Sequence, residues 1–133
     1  MDLKREQLIW LRAQSRCEYC HFPSEFAEYP FHLDHIIAEK HGGQSDDENL
    51  ALSCFYCNTS KGPNIAGIDP ESGALVPLFN PRIQAWIHHF RWQGPYLAGL
   101  TPQGRATVEV LNINDPDAVS IRRYLMAEGL YPE

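Results

Sequence analysis

Cys17-Glu18-Tyr19-Cys20 and Cys54-Phe55-Tyr56-Cys57-Asn58 bracket Asp34-His35-Ile36-Ile37, Gly42-Gly43 and Asn49-Leu50. These stretches decide how the chain is read. A Cys-x2-Cys turn presents two sulfurs from one tight knuckle, and a tetrahedral zinc takes four. Four cysteines also permit two disulfides, or a redox pair. The opening Met1-Asp2-Leu3-Lys4-Arg5-Glu6 is charged and runs directly into helical periodicity, so it reads as no export signal. Thiolates on zinc are therefore expected over cystines. Neither pair opens the helix of a βαβ unit, as a redox motif requires. Four thiolates at Cys17, Cys20, Cys54 and Cys57 fill the coordination sphere and leave no position for water, so the expected zinc is structural. The 33 residues between the knuckles become a closed loop.

Length and composition bound the rest. A chain of 133 residues suits one compact domain and is short for two. With 44% hydrophobic and 21% charged residues it has a globular composition. It contains no apolar run of the roughly 18 residues that a membrane span needs, so a cytoplasmic protein without membrane contact is expected. The net charge of −6 argues against a broad phosphate-binding face. A local patch is still open, since Arg82, Arg91, Arg105, Arg122 and Arg123 all lie in the C-terminal half.

Residues 3–14, with Leu3, Leu8 and Leu11 beside Ile9 and Trp10, predict an amphipathic helix. Phe31 to Ile37 predicts a strand. Glu39 to Asn49 predicts a loop through Gly42-Gly43 that ends in a helical turn, with Ser45-Asp46-Asp47-Glu48 as its capping box. Residues 55–61 predict a helix carrying Asn58. Gly67 to Pro77 reads as an irregular connector around an Asp69-Pro70-Glu71-Ser72-Gly73 turn. Val76 to Phe79 and Trp86 to Trp92 read as short strands or packed loop. Thr101-Pro102 and Asp115-Pro116 each predict a helix start, the second helix ending near Gly129.

The order Cys17-x2-Cys20, Asp34-His35-Ile36, Gly42-Gly43, Asn49-Leu50, Cys54-x2-Cys57-Asn58, Lys61-Gly62 resembles the HNH endonuclease family in its zinc-stapled form. The resemblance covers residues 17–62, and the stretch from Asn80, including Asn80-Pro81-Arg82 and Gly104 to Val108, is similar to the tail of small bacterial HNH proteins. It implies an α+β protein built on a small ββα-metal (His-Me finger) core, flanked by an N-terminal helix and C-terminal helices. One domain is expected over 1–133, with the motif core at 17–62 and a C-terminal extension at 63–133. The implied activity is metal-dependent hydrolysis of phosphodiester bonds in nucleic acid, most plainly DNA, leaving nicks. Asn49 is implied to hold the loop through backbone hydrogen bonds, keeping the base oriented.

The chemistry asks for the same residue types. Hydrolysis needs a base for water and a hard cation for the departing oxygen. An imidazole serves as base at neutral pH without large tuning, and His35 takes that role. Asp34 and Asn58 offer a carboxylate and an amide oxygen suited to Mg²⁺ or Mn²⁺. Taken singly, an Asp-His dipeptide is more often a surface pair, and each asparagine a turn or helix-start residue. Alternation along a strand also turns Asp34 and His35 to opposite faces, so ideal β geometry cannot aim both at one ion.

Other residues are weighed with less behind them. Lys61 is a candidate phosphate contact or a solvated helix-end lysine. His41 is a candidate phosphate contact against a solvated loop histidine, and His32 a metal neighbour against a packed or surface residue. His88-His89 among Trp86, Phe90 and Trp92 reads as core packing more than as a base-stacking platform. The rival to the nuclease is a zinc-stabilised module that binds nucleic acid or protein without cutting. The sequence leaves monomer and homodimer both open.

Overall fold

The structure, a computed structural model, describes residues 2–132; Met1 and Glu133, the ends of the expected 1–133 domain, lie outside the described residues. It is α+β, with three two-stranded antiparallel sheets among helices. Helix α1 (Leu3–Arg12) starts at Asp2, whose carboxylate accepts from the Lys4 amide at 3.1 Å. Of its apolar residues Ile9 is buried and Trp10 partly so, while Leu3, Leu8 and Leu11 stay exposed. The helix is thus seated by Ile9 against Leu50 and Leu52, with Trp10 and Ala13 packed around that contact. The leucine spacing overstated its buried face, because the strand beneath it is only four residues long. Arg12 then ties α1 down by donating to the carbonyls of Asp47 and Leu50 at 3.0 and 2.7 Å.

Strand β1 (His32–His35) pairs antiparallel with β2 (Leu50–Ser53) in the register His32 to Ser53, Leu33 to Leu52, Asp34 to Ala51 and His35 to Leu50. All four β2 residues are buried, as expected of a strand covered on both faces. Helix α2 (Phe55–Lys61) follows with one intervening residue, Cys54, which is its N-cap. β1, β2 and α2 make the ββα unit, and the long β1–β2 connection carries the glycine loop.

The C-terminal half departs from the sequence reading in two places. Residues 67–77 are not an irregular connector but a hairpin, β3 (Ala66–Ile68) with β4 (Leu75–Pro77). Its turn is held by Asp69, which accepts from the Glu71 and Ser72 amides and from Arg105 Nε at 2.8 Å. The Arg105 guanidinium, distant in sequence, holds the Asp69 carboxyl well below the usual carboxylate range. Trp86–His89 forms a helical turn (α3), and the strands come after it, β5 (Phe90–Gln93) pairing with β6 (Tyr96–Gly99). Strands this short carry too little alternation to be seen without their partners.

Helices α4 (Pro102–Val110) and α5 (Pro116–Ala127) begin where proline follows a capping residue. Thr101 Oγ1 accepts from the Gly104 amide at 3.0 Å, and Asp115 accepts from the Asp117 amide at 3.0 Å. The largest buried cluster draws Cys17, Tyr19, Ile36 and Ala51 together with Leu78, Phe79, Phe90, Leu97, Val108 and Leu111. Thr107 adds a polar link inside it, accepting from the Phe79 amide at 2.9 Å and donating to the Gln103 carbonyl at 2.7 Å. The tail returns to the first knuckle, where the Tyr131 phenol donates to the Cys20 carbonyl and Arg16 to that of Pro132. Among the described residues no helix is long and apolar enough to cross a membrane.

The α3–α4 contact has no room for a side chain. A Cβ on Gly104 would stand 2.1 Å from the His89 carbonyl oxygen. Gly104→Ala is expected to destabilise the protein by about 1–3 kcal/mol through overpacking, read as a lower denaturant midpoint at unchanged slope.

Candidate active site and metal centre

Two knuckles bring the four sulfurs to one point. All lie within 4.8 Å of one another, and none is in a disulfide. Cys20 Sγ and Cys54 Sγ stand 3.8 Å apart. A tetrahedral zinc with Zn–S bonds of about 2.3 Å has sulfur–sulfur edges of about 3.8 Å. A cystine would need about 2.05 Å. The donor set therefore fits a structural zinc by both chemistry and spacing. In each knuckle the first sulfur accepts from the amide of the second cysteine, Cys17 from Cys20 at 3.5 Å and Cys54 from Cys57 at 3.4 Å.

The thiols report the same crowding. Burial raises the Cys17 thiol, yet hydrogen bonds from Cys20, Cys54 and Cys57 outweigh it and hold Cys17 well below the ordinary thiol value. Their hydrogen bonds with Cys17 push Cys20 and Cys57 well up. Four sulfurs packed this closely suit a dication that takes all of them as thiolates.

Next to this knot, β1 presents its two faces to different surroundings. Asp34 is buried. Its Oδ2 accepts from the Tyr19 phenol at 2.8 Å, and both oxygens face Lys61 Nζ at 3.2–3.3 Å. Burial raises the Asp34 carboxyl, while the Lys61 charge and the Tyr19 hydrogen bond partly offset the rise. His35 lies on the other face, half-exposed, with Nε2 2.8 Å from Ser45 Oγ.

The loop over His35 is closed by one side chain. Asn49 Oδ1 accepts from the Ile37 amide at 2.9 Å, and its Nδ2 donates to the carbonyls of Ile37 and Gln44 at 2.9 and 2.8 Å. The Ile36 amide donates to the Asn49 carbonyl at 2.9 Å. A Cβ on Gly43 would lie 1.7 Å from the Ile37 carbonyl oxygen and 2.8 Å from Asn49 Nδ2, so only glycine lets the loop lie this close. Gly42, at φ +93, makes the left-handed turn before it. His41 ends the 3-10 turn Glu39–His41 and is exposed. Asn58 is half-buried on α2, one turn before Lys61 and on the same helix face.

The structure thus gathers the four cysteines, pairs Asp34 with Tyr19 and Lys61, and pairs His35 with Ser45. No hydrogen bond or ion pair among the described residues joins the side chains of Asp34, His35 and Asn58 to one another. Lys61, weighed as a phosphate contact or a solvated helix-end lysine, is buried in this structure. Its side chain is 1% exposed, and Nζ donates to Asp34 and to the carbonyls of His35 and Ile36 at 3.1 Å each. The basic candidates of the C-terminal half are largely engaged internally as well. Arg82 pairs with Glu18, Arg105 with Asp69, and Arg122 donates to the Pro95 and Ile113 carbonyls, leaving Arg91 and Arg123 exposed.

Sequence reasoning missed Tyr19 and Ser45. Tyr19 sits inside a Cys-x2-Cys turn, where nothing marks it as a partner for Asp34. Ser45 reads as the first residue of a capping box, but the cap is Asp46, which accepts from the Glu48 amide at 3.1 Å, and Ser45 is thereby left for His35.

Two outcomes test this arrangement. Binding to structural zinc contributes about 10–16 kcal/mol, as much as the about 5–15 kcal/mol net stability of a domain. Cys57→Ser, or exhaustive chelation of the wild type, is therefore expected to remove zinc and unfold the chain, read by metal analysis and circular dichroism. Gly43→Ala is expected to cost about 2–3 kcal/mol with zinc content unchanged, because it forces open the loop and not the knuckles.

Comparison with protein families matches residues 17–64 to the HNH endonuclease family. Comparisons with curated proteins and with solved structures find no match. The matched segment begins at the first knuckle cysteine and ends just beyond α2, so it spans both knuckles, β1, the glycine loop, β2 and α2. The match to the HNH endonuclease family thus falls on the segment that carries both cysteine pairs on a ββα scaffold.

Proposed function

We propose that the protein is a metal-dependent HNH endonuclease that hydrolyses phosphodiester bonds in DNA and leaves nicks. One observation carries the reading: a half-exposed His35 at the end of β1, its ring engaged by Ser45 under a loop locked by Asn49. In the tautomer that donates Nε2–H to Ser45, the lone pair on His35 Nδ1 is the one that takes a proton from water. Asn49 keeps the loop, and with it Ser45, at a fixed height over the ring. Asn49 is then a positioning residue and His35 the catalytic one.

Asp34 and Asn58 are the hard oxygen donors for Mg²⁺ or Mn²⁺. The site's fit to a cation is supported by Lys61, whose ammonium already stands among four oxygens: two from Asp34 and the carbonyls of His35 and Ile36. A divalent ion held by Asp34 and Asn58 would supply charge stabilisation for the departing 3′ oxygen. Exposed His41, at the edge of the glycine loop, is the residue best placed to meet a substrate phosphate. A reducing compartment such as the cytoplasm keeps the four cysteines out of disulfides and free to bind zinc.

The test is nicking of supercoiled plasmid with Mg²⁺ or Mn²⁺, with and without EDTA. His35→Ala is expected to lower the rate by about 10²–10⁴-fold while zinc content and circular dichroism stay those of the wild type. Wild-type nicking by that variant removes the base assignment. No nicking by the wild type under any divalent ion returns the protein to the binding-module reading.

A further inference from the structure

We propose that the Lys61 ammonium is the resident cation of this centre and competes with the divalent ion for Asp34, so that metal binding and release of Lys61 are one event. This rests on the nuclease reading only in taking Asp34 to be a metal donor.

The observation is the completeness of the cage. Lys61 is the last residue of α2 and is 1% exposed. A buried ammonium is costly unless its hydrogens are all taken up, and here Nζ has the two Asp34 oxygens at 3.2–3.3 Å and two main-chain carbonyls at 3.1 Å. Asp34 is equally committed, since its remaining contact is the Tyr19 phenol at 2.8 Å. A divalent ion takes a carboxylate oxygen at about 2.1 Å and uses the lone pairs that now accept from Lys61. Repulsion between the two cations at this separation, in a poorly solvated site, disfavours joint occupancy of that oxygen set. In this proposal an ion that binds Asp34 turns Lys61 out.

The exchange also reaches the proposed base. Two of the four oxygens around Nζ belong to His35 and Ile36, the residues that set where the imidazole stands. Lys61 holds that stretch of main chain in the metal-free protein, and its departure frees both carbonyls at the moment the ion arrives. Gly62 follows immediately at φ +51 and is exposed, so the helix ends at the lysine.

The experiment is a Mn²⁺ titration followed by electron paramagnetic resonance on zinc-loaded protein, with no nucleic acid present. Lys61→Met is expected to bind Mn²⁺ about tenfold or more tightly than wild type, the scale of one neighbouring like charge. The gain should vanish in Asp34→Asn/Lys61→Met. Lys61→Gln removes the charge but keeps an N–H donor for the two carbonyls, and makes the same comparison should the methionine variant not fold. Equal or weaker Mn²⁺ binding by these variants, at wild-type zinc content, overturns the proposal. The wild type supplies an independent reading through amine-specific labelling of Lys61 followed by mass spectrometry. Labelling should rise as Mn²⁺ saturates, and continued protection at saturation overturns the proposal too. Tighter Mn²⁺ binding in a protein that never nicks DNA leaves the competition standing and removes the nuclease reading.

Discussion

The convergence of four sulfurs is the constraint on which the rest of the structure depends. Cys17 and Cys20 sit in the turn after α1, and Cys54 and Cys57 cap and open α2. Fixing those two places at one point fixes the ends of everything between them: β1, the glycine loop and β2. The C-terminal half then leans on the same knot. Trp86 Nε1 donates to the Tyr19 carbonyl at 2.9 Å, and Tyr131 reaches the carbonyl of Cys20. A zinc on these four sulfurs would anchor that long-range order at one point.

Above that knot the interior is unusually polar for a short strand. Asp34, Tyr19 and Lys61 form a closed set in which each polar atom meets another. Breaking such a buried pair by removing one partner costs about 3–5 kcal/mol, whereas replacing both with apolar groups is often neutral. Stability alone therefore does not call for a charged pair here. An apolar substitute would fill the space equally well but would leave no oxygen for a cation.

The sequence made the motif legible and left its surroundings hidden. The knuckles, the ββα order and the starts of α4 and α5 are local signals, each written in a few adjacent residues such as Thr101-Pro102 or Asp115-Pro116. The β3–β4 hairpin was not legible, since its turn depends on Asp69 meeting Arg105, thirty-six positions away. The exposed leucines of α1 misled for a related reason: periodicity counts apolar residues without knowing how wide the receiving surface is. The motif singles out Asp34, His35, Asn49 and Asn58 as candidates, but not the side chains they meet. Tyr19 and Ser45 are ordinary residues that acquire meaning only when β1 is set between the first knuckle and the glycine loop. Lys61 was visible as a charge and misread as a solvent-facing one, because a helix-end lysine ordinarily is.

The alternation of β1 gives the two adjacent residues separate work. One face of a strand cannot serve both burial and solvent, so Asp34 turns inward to meet Lys61 and Tyr19 while His35 turns outward to meet Ser45. What links them is the main chain between, and Lys61 holds that link directly through the His35 and Ile36 carbonyls. A change in what occupies the Asp34 side is therefore felt on the His35 side without any side chain crossing the strand. Within the proposed nuclease, charge at the inner face and basicity at the outer face are coupled through a single peptide segment, and Asn49 closes that segment from the opposite end.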